Sequence, residues 1–262
     1  MSGALTGPLS DRHVLVTGAA RGIGAAIAQR LAAEGARLTL LGRRADTLAT
    51  LCQSLPGSGH HWVMADVADE AQVQTAFAQA RERQGLLHGL VNNAGQAESA
   101  PLHRTSSALW QQMLAVNLTG TFLCCREALP DLRAAAGLGR IVNIASTAGQ
   151  RGYAYVAAYS AAKHGVVGLT RSLALELATS GVTVNAVCPG YTDTDILRES
   201  VANVVAKTGR TPEQALAEFA ASNPQRRIVQ PAQVADTVAW LMGEGAAAIT
   251  GQCLSVSGGE VM

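Results

Sequence analysis

The segment Thr17-Gly18-Ala19-Ala20-Arg21-Gly22-Ile23-Gly24 constrains the fold more than any other part of the chain. It follows a short apolar run at 13–17 and leads into Ala25-Ala26-Ile27-Ala28-Gln29-Arg30-Leu31-Ala32, whose spacing is helical. Glycines at a strand-to-helix junction let the backbone turn sharply and approach a ligand closely. The helix start adds unpaired N–H groups and the positive end of its dipole. A pyrophosphate fits that combination. A glycine cluster by itself would equally make an ordinary turn; the strand before it and the helix after it are what point to a nucleotide.

The same rhythm continues along the chain. Strands are predicted over 37–41, 61–64, 89–92, 140–144, 183–188 and 252–256, with helices around 47–54, 70–84, 107–132, 155–180 and 231–242. This alternation requires right-handed crossovers. It predicts an α/β, Rossmann-type doubly wound parallel sheet in a single domain spanning 1–262, with ligands beyond the carboxyl ends of the strands. The stretch 191–230 breaks the rhythm, because Pro212 and Pro224 interrupt helical pieces such as 213–221. It is read as a mobile lid over a substrate.

Composition narrows the partner. Twenty Lys and Arg against nineteen Asp and Glu leave a formal charge of +1, so no overall field draws in nucleic acid or an anionic membrane. A small molecule is expected instead. Cys52, Cys124, Cys125, Cys188 and Cys253 have neither disulfide-framework nor metal-site spacing. The first residues lack a basic leader with an apolar core, and no run reaches the roughly 18 apolar residues of a membrane span. A cytoplasmic protein is expected. No metal is predicted: His60-His61 could begin a site, but no third ligand stands at a suitable spacing, and a surface turn is the preferred reading.

Tyr159 and Lys163 lie four apart in a helical pattern, so both project from one face. A phenol with a pKa of about 10 is a poor base at neutral pH, and a neighbouring ammonium would stabilise its anion. Ser146 follows the strand over 140–144, at the sheet edge where a ligand is expected. Asn117 sits inside a helical pattern that asparagine disfavours, which marks either function or a kink.

Taken in order, TGxxxGxG at Thr17–Gly24, Asn92-Asn93-Ala94-Gly95, Asn117, Ser146, Tyr159 with Lys163, and Pro189-Gly190 resemble the short-chain dehydrogenase/reductase family in its compact form, over nearly the whole chain. Similarity is strongest to bacterial hydroxyacyl-thioester and secondary-alcohol dehydrogenases and 3-oxoacyl reductases. The resemblance implies an NAD(P)-dependent oxidoreductase that interconverts a ketone or 3-oxoacyl group and a secondary alcohol by hydride transfer. Tyr159 would be the acid/base, Ser146 the holder of the substrate oxygen, Lys163 the group that steadies the phenolate and orients ribose hydroxyls, and Asn117 part of a water-linked proton relay. The alternative is a catalytically silent, cofactor-sensing binding module of the same fold, a class that commonly lacks the Tyr or the Lys.

The resemblance also distributes the cofactor. Gly18, Arg21, Gly22, Ile23 and Gly24 would border the pyrophosphate, and Asn93, Ala94 and Gly95 the cofactor at the fourth strand. Asp66 would meet the adenine, with Val67 contributing backbone, although Asp66 could also cap a helix. Tyr159 and Lys163 would meet the nicotinamide ribose, and Pro189, Gly190, Thr192 and Thr194 the nicotinamide end; Thr194 could equally cap a helix starting at Asp195. Members using NAD place an acid at the end of the second strand. Here Gly42 stands there with Arg43 next, and Arg21 and Arg43 could flank a 2′-phosphate. NADP(H) is therefore favoured over NAD(H), unless Arg43 is a solvated surface residue.

The substrate is less constrained. Ala97 and Ala148 stand where hydroxybutyrate dehydrogenases of the family hold a free carboxylate, which argues against a small hydroxy acid. The candidate pocket residues are Gln96, Thr147, Gln150, Arg151, Tyr153 and Tyr191, and an acyl thioester is among the carbonyl substrates considered. A homotetramer is expected, by resemblance and from small residues (Ala158, Ala161, Ala162, Gly165, Gly168) beside apolar Leu114, Leu118 and Phe122. The apolar end Val261-Met262 is expected to pack on the body or on a neighbour.

Overall fold

A computed structural model describes residues 7–262. In chain order the elements are β1 (His13–Thr17), α1 (Gly22–Ala33), β2 (Arg37–Gly42), α2 (Ala45–Ser54), β3 (His61–Met64), α3 (Glu70–Gln84), β4 (Gly89–Asn92), α4 (Ser107–Leu114), α5 (Gly120–Ala134), β5 (Arg140–Ile144), α6 (Ala157–Glu176), β6 (Thr183–Pro189), α7 (Asp195–Thr208), α8 (Pro212–Ala221), α9 (Pro231–Met242) and β7 (Cys253–Val256). The seven strands form one parallel sheet in the order β3-β2-β1-β4-β5-β6-β7. β1, β4, β5 and β6 are buried along their whole length because helices cover both faces. Ile27 and Leu31 of α1 and Val238 of α9 fill one side of the sheet, while Phe77 of α3 and Leu123 and Leu132 of α5 fill the other. The strand order reverses between β1 and β4, and a ligand crevice is expected beyond the carboxyl ends of the strands at such a reversal.

Some elements differ from expectation, each for a local reason. The long helix predicted over 107–132 is divided by a π-turn at Ala115–Thr119, an insertion that often marks a functional position. Gly120 restarts the helix where a Cβ would lie 2.7 Å from Val67 Cγ2, so only glycine lets it pass. The helix predicted from 155 begins at Ala157 because Tyr155 takes a positive φ of 69°; its end, a 3-10 turn at Ala178–Ser180, is separate. The segment 191–230 contains two helices, α7 and α8, the second opened by a Thr211 capping box with Pro212 in its first turn. Its two ends are clasped where Asp193 N donates to Val229 O and Val229 N to Tyr191 O, both at 2.9 Å.

His60 and His61 do not form a surface turn. His61 opens β3 and joins a polar layer at the amino ends of the strands. There His13 Nε2 and Thr39 Oγ1 are 2.7 Å apart, Gln84 Nε2 donates to His61 Nδ1 at 2.6 Å, and His60 Nδ1 accepts from Leu38 N at 3.2 Å. Parallel strands with buried amino ends leave polar groups that must find partners, and these imidazoles supply them. Among the described residues no three His, Cys, Asp or Glu side chains come together as a metal site, and no helix is long and apolar enough to cross a membrane. At the other terminus Met262 is fully exposed in the single chain, so its last residue does not pack on the chain's own body.

Candidate active site

Thr17 ends β1 at the crevice and stitches its rim. Its hydroxyl accepts from Asn93 N and Ala94 N, and Asn93 Nδ2 donates to Thr17 O and Gly18 O, all at 3.0 Å. These bonds hold the segment after β4 against the glycine turn. Gly18 and Gly22 take φ values of 62° and 54°, and a Cβ on Gly24 would sit 2.3 Å from Gly18 O, so side chains are barred from this floor. α1 begins there with no side-chain cap and no acid in its first turn. Its leading N–H groups and dipole therefore face the crevice without a carboxylate, as a phosphate-binding turn requires. The cradle fits the pyrophosphate of a dinucleotide.

The ribose and adenine side is built at the ends of β2 and β3. β2 finishes on Gly42 with no acid, and the next residue, Arg43, reaches Asp66 Oδ2 at 3.8 Å. Asp66 caps its own turn through Ala68 N; the α3 cap is Asp69, so the helix-cap alternative for Asp66 does not hold. Val67 buries its side chain against Gly120, leaving backbone for any contact. Arg21 and Arg43 were expected to flank one phosphate. Instead each meets a different carboxylate, because Asp195 at the start of α7 lies 3.0 Å from Arg21 Nη1.

At the far end of the crevice, Ser146 follows β5 and Tyr159 and Lys163 come from α6. Gly149 lets the two elements meet, since a Cβ there would lie 2.7 Å from Lys163 O, and Ser160 Oγ donates to Ala148 O at 2.7 Å. Ser146 Oγ caps Ala148 N at 3.0 Å and lies close enough to the Tyr159 phenol to act on it electrostatically. The turn-cap role and the site position therefore coexist. Lys163 is buried, donates from Nζ to Ile144 O at 2.8 Å, and stands 5.7 Å from the centre of the Tyr159 ring. Burial lowers its pKa to about 8. Burial likewise raises the Tyr159 phenol, and the nearby Ser146 hydroxyl pulls the other way without overcoming it. The phenol is therefore protonated at neutral pH.

Asn117 occupies the π-turn and is fully buried. Its amide donates to Gln96 O and Met113 O at 3.0 Å and accepts from Gln96 N at 3.2 Å, pinning the loop after β4. A Cβ on Gly95 would touch Asn117 Oδ1 at 2.9 Å and Lys163 Nζ at 3.6 Å, so Gly95 is the spacer between the two groups. The kink and the site contact are one feature.

Pro189 and Gly190 end β6. Thr192 is buried with its hydroxyl on Gly190 O, while Thr194 precedes α7 without capping it and lies against Gly22. Of the candidate pocket residues, Thr147, Arg151, Tyr153 and Tyr191 gather near Ser146. Gln150 turns away to β7, bonding Cys253 O and Ser255, and the Gln96 side chain turns to Gln112. Two residues not anticipated also belong to this wall: Phe219 of α8, 4.8 Å from Tyr191 between ring centres, and Glu260 of the tail, bonded to Tyr153. Neither sits in a pattern that sequence reading could detect.

Comparison with known proteins agrees with this geometry. The short chain dehydrogenase family model matches residues 12–205. A cis-4-hydroxycyclohexanecarboxylate dehydrogenase from Sinomonas cyclohexanicum is 42% identical, aligned over 95% of this chain and 96% of its own length. A levodione reductase from Leifsonia aquatica is 36% identical over 96% and 94%. Among solved structures, an actinorhodin polyketide ketoreductase variant with NADPH superposes with a TM-score of 0.91 at 40% identity, covering 96% of this chain and 98% of that one. The chain belongs to the short-chain dehydrogenase family and is an NAD(P)-dependent oxidoreductase that interconverts ketones and alcohols.

Proposed function

We propose that the protein is an NADPH-preferring ketone reductase in which Tyr159 is the proton donor. The observation that carries this reading is the gathering of Ser146, Tyr159 and buried Lys163 at the carboxyl end of β5, with Lys163 Nζ 5.7 Å from the centre of the Tyr159 ring and anchored on Ile144 O. When bound, the nicotinamide supplies a hydride to the carbonyl carbon. Ser146 and Tyr159 hold the carbonyl oxygen, and the phenol gives up its proton as negative charge develops there. Lys163 steadies the resulting phenolate and would hold ribose hydroxyls. Asn117, through its grip on the Gln96 backbone, keeps the route beside Lys163 open for a water to return the proton.

Gly18, Arg21, Gly22, Ile23 and Gly24 would hold the pyrophosphate, Asp66, Val67, Asn93, Ala94 and Gly95 the adenosine half and the adjoining ribose, and Pro189, Gly190, Thr192 and Thr194 the carboxamide. The NADP preference is supported by the acid-free end of β2 and by Arg43, whose exposed guanidinium would offer a 2′-phosphate charge-assisted bonds. The substrate is a small-molecule ketone, 3-oxoacyl thioesters included. Segment 191–230 acts as its lid, clasped at Tyr191–Val229. Exposed Phe122, Leu175 and Trp240 support assembly into a homotetramer, and five free cysteines support a cytoplasmic location.

The test is Tyr159→Phe. With NADPH and a carbonyl panel followed by loss of NADPH absorbance, the variant should lose turnover by about a hundredfold or more while NADPH binding stays nearly intact. Retention of more than a few per cent of wild-type turnover would remove Tyr159 from the donor role.

A further inference from the structure

The C-terminal tail carries a carboxylate into the substrate side of the site, and the reaction as described does not use it. Glu260 is half-buried. Its Oε1 accepts a hydrogen bond from the Tyr153 phenol at 2.7 Å, and its Oε2 lies so close to Gly190 that a Cβ there would be 2.9 Å away. Its backbone carbonyl accepts from Arg151 Nη1 at 3.4 Å, and that guanidinium lies over the Tyr153 ring at 4.7 Å. The tail thus joins the loop after β5 to the end of β6.

These groups continue into the reacting centre. Tyr153 meets Tyr191 edge-on with ring centres 6.4 Å apart, and Tyr191 meets Phe219 at 4.8 Å. The loop that carries Tyr153 is tied to Thr147, the neighbour of Ser146, where Arg151 N donates to Thr147 O at 3.0 Å, and the Tyr191 phenol lies within electrostatic reach of Tyr159. The two charges are placed differently. Arg151 is exposed and bonds the tail's backbone carbonyl, whereas the Glu260 carboxylate is half-buried and set against Gly190. The negative end of this pair is therefore the one set against the end of β6.

We propose that Glu260 is a specificity-determining residue: set beside an aromatic wall, its carboxylate admits ring-bearing ketones without negative charge and rejects the same ring when it carries a free carboxylate. This rests on the ketone-reductase reading above and narrows its substrate class. Rings stack favourably on aromatic edges and faces, which provides the attraction. A second carboxylate brought under the lid would lie near Glu260 in a medium less polar than water, where like charges repel strongly. Discrimination by a repulsive element of this kind needs no contact with the accepted substrate.

The experiment measures binding and so needs no turnover. Methyl 4-oxocyclohexanecarboxylate and its free acid are titrated by calorimetry into protein saturated with NADP+, at low and high salt. The wild type should bind the ester about tenfold more tightly than the acid, and salt should compress that ratio. Glu260→Gln keeps a hydrogen-bond acceptor for Tyr153, so it should bring the ratio towards one and make it insensitive to salt. Arg151→Gln should enlarge it. A wild-type ratio near one, a ratio that Glu260→Gln leaves unchanged, or a shift in the same direction for both variants overturns the proposal. If neither ring binds but NADPH is oxidised by an acyclic ketone, the proposal falls and the ketone-reductase reading stands. If the rings bind with the expected ratios but no ketone is reduced, that reading falls and the charge filter stands.

Discussion

Acid should destabilise this protein through a histidine far from its active site. His13 is fully buried at the amino end of β1, with Nε2 on Thr39 Oγ1 and Nδ1 on Gly85 O. Burial holds its pKa at about 4, against the usual 6.5, despite the opposing pull of the Gly85 carbonyl. Between those two values the unfolded chain binds a proton that the folded chain refuses, so stability rises with pH across the window and is lost as pH falls through it. At pH 8 neither state is protonated and the contribution vanishes. At pH 5 the difference amounts to about 2 kcal/mol from His13 alone, roughly a thirtyfold change in the folded-to-unfolded ratio. His61, also lowered to about 4 chiefly by burial, acts in the same direction, with a smaller effect because it is partly exposed. Urea midpoints at pH 8 and pH 5, taken at one protein concentration, measure the effect. His13→Gln cannot titrate, so it should be less stable at pH 8 yet lose less on acidification. If both proteins show the same drop between the two pH values, buried neutral His13 is not the origin.

Three further outcomes follow from the site. Arg43→Ala should weaken NADPH by about tenfold to a hundredfold, the range of one or two charge-assisted bonds, and spare NADH; equal specificity constants for both cofactors in the wild type would end the NADP reading. Gly95→Ala places a methyl 2.9 Å from Asn117 Oδ1 and 3.6 Å from Lys163 Nζ. A displacement of under an ångström there should lower kcat by roughly a hundredfold with little change in melting temperature, and an unaltered kcat would show that the Asn117–Lys163 spacing is immaterial. Light scattering on a sizing column should give four times the 27.0 kDa chain mass. Elution as a single chain would reject the assembly.

The parts of the molecule legible in the sequence are those written as repeating or local patterns. β1, β3, β4, α3 and α9 lie where apolar periodicity and turn residues put them, because buried parallel strands and packed helices impose a period on consecutive residues. The positions of Ser146, Tyr159 and Lys163 were legible for a related reason: Tyr and Lys share one helix face, and the serine stands at a strand end. The π-turn at Asn117 was only half legible. An asparagine in a helical run signalled strain, but the widened turn depends on Gln96 and Gly120 meeting partners distant in sequence. The histidine layer was misread because a pair of polar residues before a strand looks like a turn, and the Thr39 and Gln84 groups that absorb it lie on other elements. Glu260 is the extreme case. Its partner Tyr153 is 107 residues away, and it stands alone between Gly259 and Val261 with no period or motif. Chemistry shared by a whole family must be held in fixed local geometry, which leaves a pattern along the chain. Substrate choice can rest on single side chains that the fold alone brings together, as it brings Glu260 to Tyr153 and Gly190.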